Sequence, residues 1–151
     1  MNSKGIRIPD KKNHVICVTL SNILDEINNG NSLYWSVLFL EASGDFEDAI
    51  STPLNEEQIR MSEKGLFLTW LDLNILSKKI DQTIWLTLIG CKNKNNACRY
   101  KEDQDMYETC DITIEMIDSW YWEVFSKDET LINRLAAKFE NTKFLESNFE
   151  K

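Results

Sequence analysis

The residues with the clearest chemical potential are carboxylates gathered in one stretch, residues 102–125, called the acidic segment below. It holds eight acids and not one Lys or Arg. The whole chain has 25 acids and 17 bases, so the remainder is balanced at 17 against 17 and the net charge of −8 lies in this segment. The acids are Glu102, Asp103, Asp105, Glu108, Asp111, Glu115, Asp118 and Glu123. Clustered carboxylates can act as general acids and bases, as ligands of a divalent cation, or as a surface for a cationic partner.

The spacing of these acids does not favour catalysis. On a strand, Asp111 and Glu115 share a face and lie ~13 Å apart, at ~3.3 Å per residue. Glycoside chemistry needs two carboxylates roughly 5–9.5 Å apart, although Asp111 and Glu123 come closer if they face each other across a hairpin. The Asp103 and Asp105 pair lacks the spacing and the glycine of an EF-hand. We therefore expect no catalytic residue, no metal and no cofactor. The alternative is an uncharacterised enzyme or divalent-metal-binding domain that uses the clustered carboxylates.

Other catalytic signatures do not occur in the sequence. The five glycines form neither a GxSxG motif nor a phosphate-binding loop. The single histidine, His14, lies in a polar stretch that is typical of solvated side chains. A zinc site would need His14 to converge with Cys17, Cys91 and Cys98, and no CxxC pair is present. We expect these cysteines and Cys110 to be reduced thiols, with Cys17 and Cys110 as small core residues.

Composition bounds the class of protein and its location. A hydrophobic content of 42% and an aromatic content of 11% favour a globular chain. The acidic balance argues against nucleic-acid binding, which needs a basic face. No apolar run is long enough to span a membrane, and the first residues lack the apolar core of a signal peptide. We expect a cytoplasmic protein without a membrane contact.

The acidic segment also carries the clearest strand pattern. Cys110, Ile112, Ile114 and Met116 alternate with Asp111, Thr113 and Glu115, the period of a strand with one buried face. Asp118 and Ser119 then predict a turn, and residues 120–125 a returning strand. On that strand Trp120 and Trp122 point to one face, which predicts that both anchor the core. Tyr121 and Glu123 point to the other face, where they add an aromatic side chain to the carboxylates.

The elements that position this hairpin are helices and strands mixed along the chain. Apolar spacing predicts helices near residues 20–27, 70–80 and 127–139, and a polar helix over 52–64. Strands are predicted at 33–41 and 82–90, with a last edge strand over 143–149. Residues 1–13 read as a flexible or edge lead-in, and 91–107 as a long polar loop. The fold predicted for 1–151 is a single α+β domain, with an antiparallel or mixed sheet of about 4–6 strands and about three helices.

Two segments resemble a known class of proteins. They are SEKGLFLTWLDLNILSKKIDQTIWLTLIGC, residues 62–91, and CDITIEMIDSWYWEVFSKDETLINRLAAKF, residues 110–139. Their G-x-x-L-x-W-x-x-L helix entry, I-E-x-x-D-S strand and turn, and W-x-V strand are similar to those of small bacterial immunity proteins. Such proteins are encoded beside polymorphic or contact-dependent growth inhibition toxins. The resemblance implies a cytosolic protein that binds and blocks a cognate toxin domain without a cofactor.

The residue pattern and the resemblance lead to one hypothesis. Segregation of the net charge into the acidic segment indicates a binding surface for a cationic protein, because an unbalanced acidic face repels itself until a partner relieves it. The predicted partner is a basic toxin, for example a nuclease, and the inhibitor is expected to be a monomer. The predicted contact residues are Glu102, Asp103, Asp105, Glu108, Asp111, Glu115, Asp118, Tyr121 and Glu123.

Overall fold

A computed structural model describes residues 4–12, 15–16, 18–46, 48–50 and 55–146. The strands are β1 (Lys4–Pro9), β2 (Lys11–Lys12), β3 (Val15–Ile16), β4 (Tyr34–Gly44), β5 (Leu66–Leu68), β6 (Ile80–Cys91), β7 (Ile112–Ile117), β8 (Tyr121–Ser126) and β9 (Lys143–Glu146). The helices are α1 (Leu20–Leu24), α2 (Glu56–Met61), α3 (Trp70–Lys79), α4 (Asp103–Thr109) and α5 (Glu129–Lys138). Short 3-10 helices occupy Gly30–Ser32 and Lys94–Asn96.

One antiparallel sheet organises the chain and confirms the α+β class. It has seven strands in the order β5-β4-β6-β7-β8-β1-β9, while β2 and β3 form a separate ribbon. The predicted 4–6 strands were too few, and the part of the chain that the structure describes holds five α-helices where about three were expected. α2 lies within the polar helix predicted over 52–64, whereas α4 was not predicted, because it is short and polar and its apolar periodicity is weak.

Three helices cover one face of the sheet, called the helical face. Apolar side chains of α1, α3 and α5 pack there against inward residues of β1, β4, β6, β7 and β8. The helices begin where local chemistry satisfies their free N–H groups: the side chain of Thr19 caps α1, and that of Thr69 caps α3. Burial of this shared core is the main term that holds the sheet and the helices together.

The opposite face of the sheet, called the second face, carries a smaller core. Met106 and Tyr107 of α4 pack there with Ile89, Phe125 and other buried residues. The stretch 91–107, predicted to be a long polar loop, therefore contains the 3-10 helix Lys94–Asn96 and the start of α4. The stretch has few apolar residues, and those that are buried pack in this cluster. The remaining residues are polar, so the sequence pattern predicts a loop.

The two ends of the chain meet in the sheet. β1, predicted to be a flexible or edge lead-in, lies between β8 and β9 with a hydrogen-bonded neighbour on each side. Ile6 and Ile8 are fully buried in the core. The edge position is taken by β9, as the prediction for residues 143–149 expected, although residues 147–151 lie outside the described chain. The pairing of β1 joins residues more than a hundred positions apart, and local patterns carry no signal for it.

Candidate functional site

The β7–β8 hairpin has the predicted alternation on its inner side. Ile114, Met116 and Trp122 are buried in the core under the helices. Glu115 and Glu123 lie directly opposite each other on the second face. The alternation is thus confirmed for this hairpin, but the prediction that only one face of β7 is buried was wrong, because on the other face Thr113 is fully buried and Glu115 is 8 % exposed.

The turn differs from the prediction for Trp120. The turn residues Asp118 and Ser119 both have positive φ, 50° and 58°, as a tight hairpin turn requires. The strand resumes only at Tyr121, so Trp120 belongs to the turn and is 73 % exposed. Trp122 alone anchors the core, where its Nε1–H donates to the carbonyl of Val18 at 3.2 Å and to Asp10 at 3.3 Å. The prediction that both tryptophans are core anchors was wrong for Trp120.

Glu115 is the most unusual acid of the segment, because it is only 8 % exposed. The hydroxyl of Tyr107 donates to its Oε1 at 2.6 Å, and the Thr87 hydroxyl donates to it as well. Burial raises the pKa of Glu115 to about 7, and the negative charges of Asp103 and Glu123 act in the same direction. The hydrogen bonds from Tyr107 and Thr87 oppose this rise. The carboxyl group therefore changes its charge close to neutral pH.

Glu123 is held by an internal ion pair. Its Oε2 accepts hydrogen bonds from Nε and Nη2 of Arg7 at 2.8 and 2.6 Å. The same guanidinium lies 4.3 Å from the centre of the Tyr121 ring. Arg7, which the sequence analysis did not single out, thus fixes two predicted contact residues in place.

The other predicted contact residues divide into separate groups. Glu102, Asp103, Asp105 and Glu108 lie on or beside α4, where Glu108 accepts a hydrogen bond from Gln104. Asp111 and Asp118 lie at opposite ends of β7. Asp111 accepts a hydrogen bond from the backbone N–H of Lys92 and lines a depression of about 120 Å³ that also contains Lys127 and Arg134. The structure thus places Glu115 and Glu123 opposite each other on the second face and Asp111 and Asp118 at the two ends of β7.

Strand register assembles a wider surface around Glu115, called the open face. Residues paired across neighbouring strands form two rows. The first row, from β4 to β1, is Phe39, Thr87, Glu115, Glu123 and Arg7. In the second row Glu41 lies opposite Trp85, and Ile117 lies opposite Tyr121. These side chains lie on the second face, beyond the part that α4 covers. Trp85 and Glu41 are exposed, whereas the others are half-buried apart from Glu115.

The sequence analysis missed Phe39, Trp85 and Glu41. The signal for Trp85 is present in the sequence, since Trp85 and Thr87 alternate with Leu86 and Leu88 in β6. Phe39 follows a run of buried residues in β4, which gives no local signal that its side chain reaches the surface. Their meeting with Glu115 depends on strand order, which the sequence does not reveal.

The thiols form a buried pair away from this surface. A hydrogen bond with Cys110, together with burial, raises the pKa of the Cys91 thiol. Cys98 is half-buried nearby, and all three are free thiols. Among the described residues, no group of three or more His, Cys, Asp and Glu is arranged to hold a metal ion. His14 and Cys17, named for a zinc site, lie outside the described residues.

Fold and site together define an α+β protein with most of its helices on one sheet face and, on the other, α4 beside an aromatic and acidic surface. The chain belongs to the family described as "Protein of unknown function (DUF2691)", whose family model matches residues 4–150. No curated protein and no solved structure matches the chain. In the part of the chain that the structure describes, none of the helices has the length and apolar character needed to cross a membrane.

Proposed function

We propose that the protein is a non-enzymatic inhibitor that binds a cationic protein through the open face and the acids of α4. The observation that carries this proposal is the shared exposure of aromatic and acidic side chains on one sheet face. Trp85 and Glu41 are exposed there opposite each other, and Tyr121 is half-buried in the same row. Aromatic residues are enriched at protein interfaces, and complementary charge accelerates and selects association.

The position of α4 supports an electrostatic role for its acids. Glu102, Asp103 and Asp105 are exposed at the start of this helix, and Asp103 is close enough to raise the pKa of Glu115. The exposed acids of α4 therefore add negative charge near Glu115, while Glu123 is already paired with Arg7. A Lys or Arg side chain of a partner would relieve this repulsion.

The partner we propose is a bacterial toxin domain with a basic surface, for example a nuclease. The resemblance of residues 62–91 and 110–139 to immunity proteins supports this choice, as does the location of the net charge of −8 in the acidic segment. In this scheme the protein acts as a monomer in the cytoplasm and blocks the toxin by direct contact. The contact residues are then Asp103, Asp105, Glu115, Tyr121 and Trp85, with Asp118 and Trp120 at the edge.

The first test is capture of the partner. The tagged protein is used as bait in lysate of its source cell, and separately with the product of the adjacent upstream gene, at low and moderate salt. A stoichiometric basic partner that salt releases is the expected result, because Coulomb attraction between exposed charges weakens as ionic strength rises. Failure to capture a partner under either condition would argue against the proposal.

Charge reversal then locates the surface. Asp103→Lys/Asp105→Lys changes two exposed acids in the first turn of α4, and Glu56→Lys/Glu57→Lys makes the same change in the first turn of α2. Both double variants alter the net charge by +4 and carry the same unfavourable helix-dipole change. We expect the α4 variant to weaken binding by about tenfold or more through its association rate, and the α2 variant to have little effect. Equal losses would assign the effect to net charge and not to this surface.

A second candidate function is suggested by Glu115 itself. A carboxyl group with a pKa of about 7 is suited to general acid or base catalysis at neutral pH. This observation supports the alternative function, an enzyme or a divalent-metal-binding domain that uses the clustered carboxylates. Thermal unfolding in the presence of magnesium, calcium, manganese or zinc tests whether the protein binds a divalent metal. A bound ion raises the melting temperature as the ion concentration rises.

A further inference from the structure

A second concave site lies at the far side of the sheet from Arg7 and Glu123. It is a cleft of about 480 Å³ where β4 begins and where β5 runs into α3. Its walls include Tyr34, Trp35, Phe67 and Trp70, and Lys94 stands at its rim. We call it the aromatic cleft. Its size falls within the range of small-molecule sites, roughly 300–1,000 Å³.

The floor of the aromatic cleft is rigid. Trp35 is buried and stacks on Trp70, with ring centres 5.3 Å apart and an interplanar angle of 26°. The Nε1–H of Trp35 donates to the carbonyl of Gly30 at 2.9 Å, which fixes the indole orientation. A Cβ atom on Gly30 would stand only 2.3 Å from the Trp70 ring, so glycine is required for this close approach. The Trp70 ring, stacked on the buried Trp35, therefore offers a preorganised aromatic surface.

The walls of the aromatic cleft are exposed although they are apolar. Tyr34 is 47 % exposed and Phe67 is 38 % exposed, and Leu71 beside them is more exposed still. Large apolar side chains gathered around one concavity are a common mark of a binding site. A flat ring placed between these side chains would bury apolar surface on both of its sides.

The positive charge at the rim favours a ligand with a negative charge. Among the residues that the structure describes, Lys94 is the one charged residue that lines the aromatic cleft, in a protein whose net charge is −8. Its Nζ lies 5.7 Å from the centre of the Phe67 ring, so the ammonium group is held above an aromatic wall. Asn31 and Thr69 add an amide and a hydroxyl to the lining. Together these groups match a planar aromatic ring that carries an anionic substituent.

We propose that the aromatic cleft binds a small planar aromatic carboxylate, with its ring against the walls formed by Tyr34, Phe67 and Trp70 and its carboxylate beside Lys94. This site is distinct from the open face, and the proposal does not depend on the proposed inhibitor function. A ligand bound here would stabilise the start of β4 and the β5–α3 corner, because it contacts all three elements.

The test uses a pair of probes that share one ring and differ in charge. Isothermal titration compares indole-3-propionate, an anion at pH 7, with tryptamine, a cation. We expect saturable binding of the anion and a preference over the cation of about tenfold, the size of effect that one favourable charge contact gives at a partly exposed site. Equal affinity for the two probes, or no saturable binding of the anion up to about 10 mM, would overturn the proposal.

Two variants from one loop provide the matched control. Lys94→Gln should reduce the affinity for indole-3-propionate and remove the preference over tryptamine. Lys92→Gln changes an exposed lysine two residues away that does not line the aromatic cleft, and it should leave both affinities unchanged. Tyr34→Ala should weaken both probes, because it removes ring contact without changing charge. If Lys92→Gln acts like Lys94→Gln, the binding reflects general charge, which contradicts the proposed site.

Sedimentation of the free protein tests the competing occupant. Exposed aromatic side chains at a sheet edge can also be covered by a second copy of the chain. A dimer that Tyr34→Ala or Leu71→Lys dissociates would show that the aromatic cleft is a self-interface, and this would overturn the small-ligand proposal. A monomer at all concentrations, together with saturable anion binding, is the result we expect.

Discussion

The hydroxyl of Tyr107 donates a hydrogen bond of 2.6 Å to Oε1 of Glu115, and this bond links α4 to the middle of β7. The Tyr107 ring stacks on Phe125, with centres 4.0 Å apart, so the hydroxyl is held at a fixed place. The same contact buries a carboxyl group and brings the acids of α4 to the open face. The stability of the protein and the charge of the proposed binding surface therefore depend on one pair of residues.

The first prediction concerns pH. The pKa of Glu115 is raised from 4.5 to about 7 in the folded protein, so the folded state binds more protons than the unfolded state between these values. Its contribution to the free energy of unfolding is fully present below pH 4.5 and is lost as the pH rises through about 7. The loss amounts to at most ~3 kcal/mol, from ~1.4 kcal/mol per pKa unit. Glu115→Gln keeps an acceptor for Tyr107 and has no charge, so its stability relative to the wild type should increase from pH 5 to pH 8.

Urea unfolding at several pH values measures this difference. Glu129→Gln, at an exposed position on α5, is the control for the loss of one carboxylate. A Glu115→Gln difference that stays flat over the same range would show that Glu115 does not titrate as its surroundings require.

The second prediction separates the ring of Tyr107 from its hydroxyl. Tyr107→Phe keeps the stack on Phe125 and removes the donor from a buried carboxylate. An unsatisfied buried acceptor costs about 1–3 kcal/mol, so we expect a loss of stability of this size at pH 8. Below pH 5 the protonated carboxyl has less need of the donor, and the loss should shrink. Chemical denaturation at both values checks this, and an equal loss at pH 5 and pH 8 would assign the effect to packing instead.

The sequence reveals the features of the site that depend on local pattern. Period-2 alternation in β7 places Ile114 and Glu115 on opposite faces of the sheet. Asp118 and Ser119 likewise predict the position of the turn, but they do not predict its length. The turn has one more residue than expected, so Trp120 lies in solvent and not in the core.

The features that the sequence does not reveal come from long-range pairing. Arg7 meets Glu123 because β1 lies beside β8, and Trp85 meets Glu41 because β6 lies beside β4. The burial of Glu115 requires α4, a seven-residue helix inside a stretch that reads as a polar loop. Short helices owe their stability mainly to tertiary packing, so their own residues predict them poorly.

The third prediction contrasts the two tryptophans of the hairpin. Trp122→Ala removes a fully buried indole and its hydrogen bonds, and such truncations cost about 3–5 kcal/mol. Trp120→Ala removes an exposed side chain and should change the free energy of unfolding by no more than about 0.5 kcal/mol. Denaturant titration distinguishes them, and similar losses for both would place Trp120 in the core after all. If Trp120 contacts the proposed partner, its removal should weaken the complex without destabilising the free protein.

The last prediction concerns the accessibility of the thiols. Cys91 and Cys110 are buried free thiols that share a hydrogen bond, whereas Cys98 is half-buried in the adjacent loop. Thiolates are the reactive form, and both burial and the raised pKa of Cys91 disfavour its thiolate. Iodoacetamide should therefore label Cys98 rapidly in the native protein and leave Cys91 and Cys110 unlabelled until the protein unfolds.

Peptide mass spectrometry after brief labelling resolves each position, and it separates Cys17, which lies outside the described residues, from the other three. In denaturant all of them should react at similar rates, which is the control for intrinsic reactivity. Native labelling of Cys110 as fast as that of Cys98 would mean that α4 opens readily, and the second face would then be no fixed platform for Glu115.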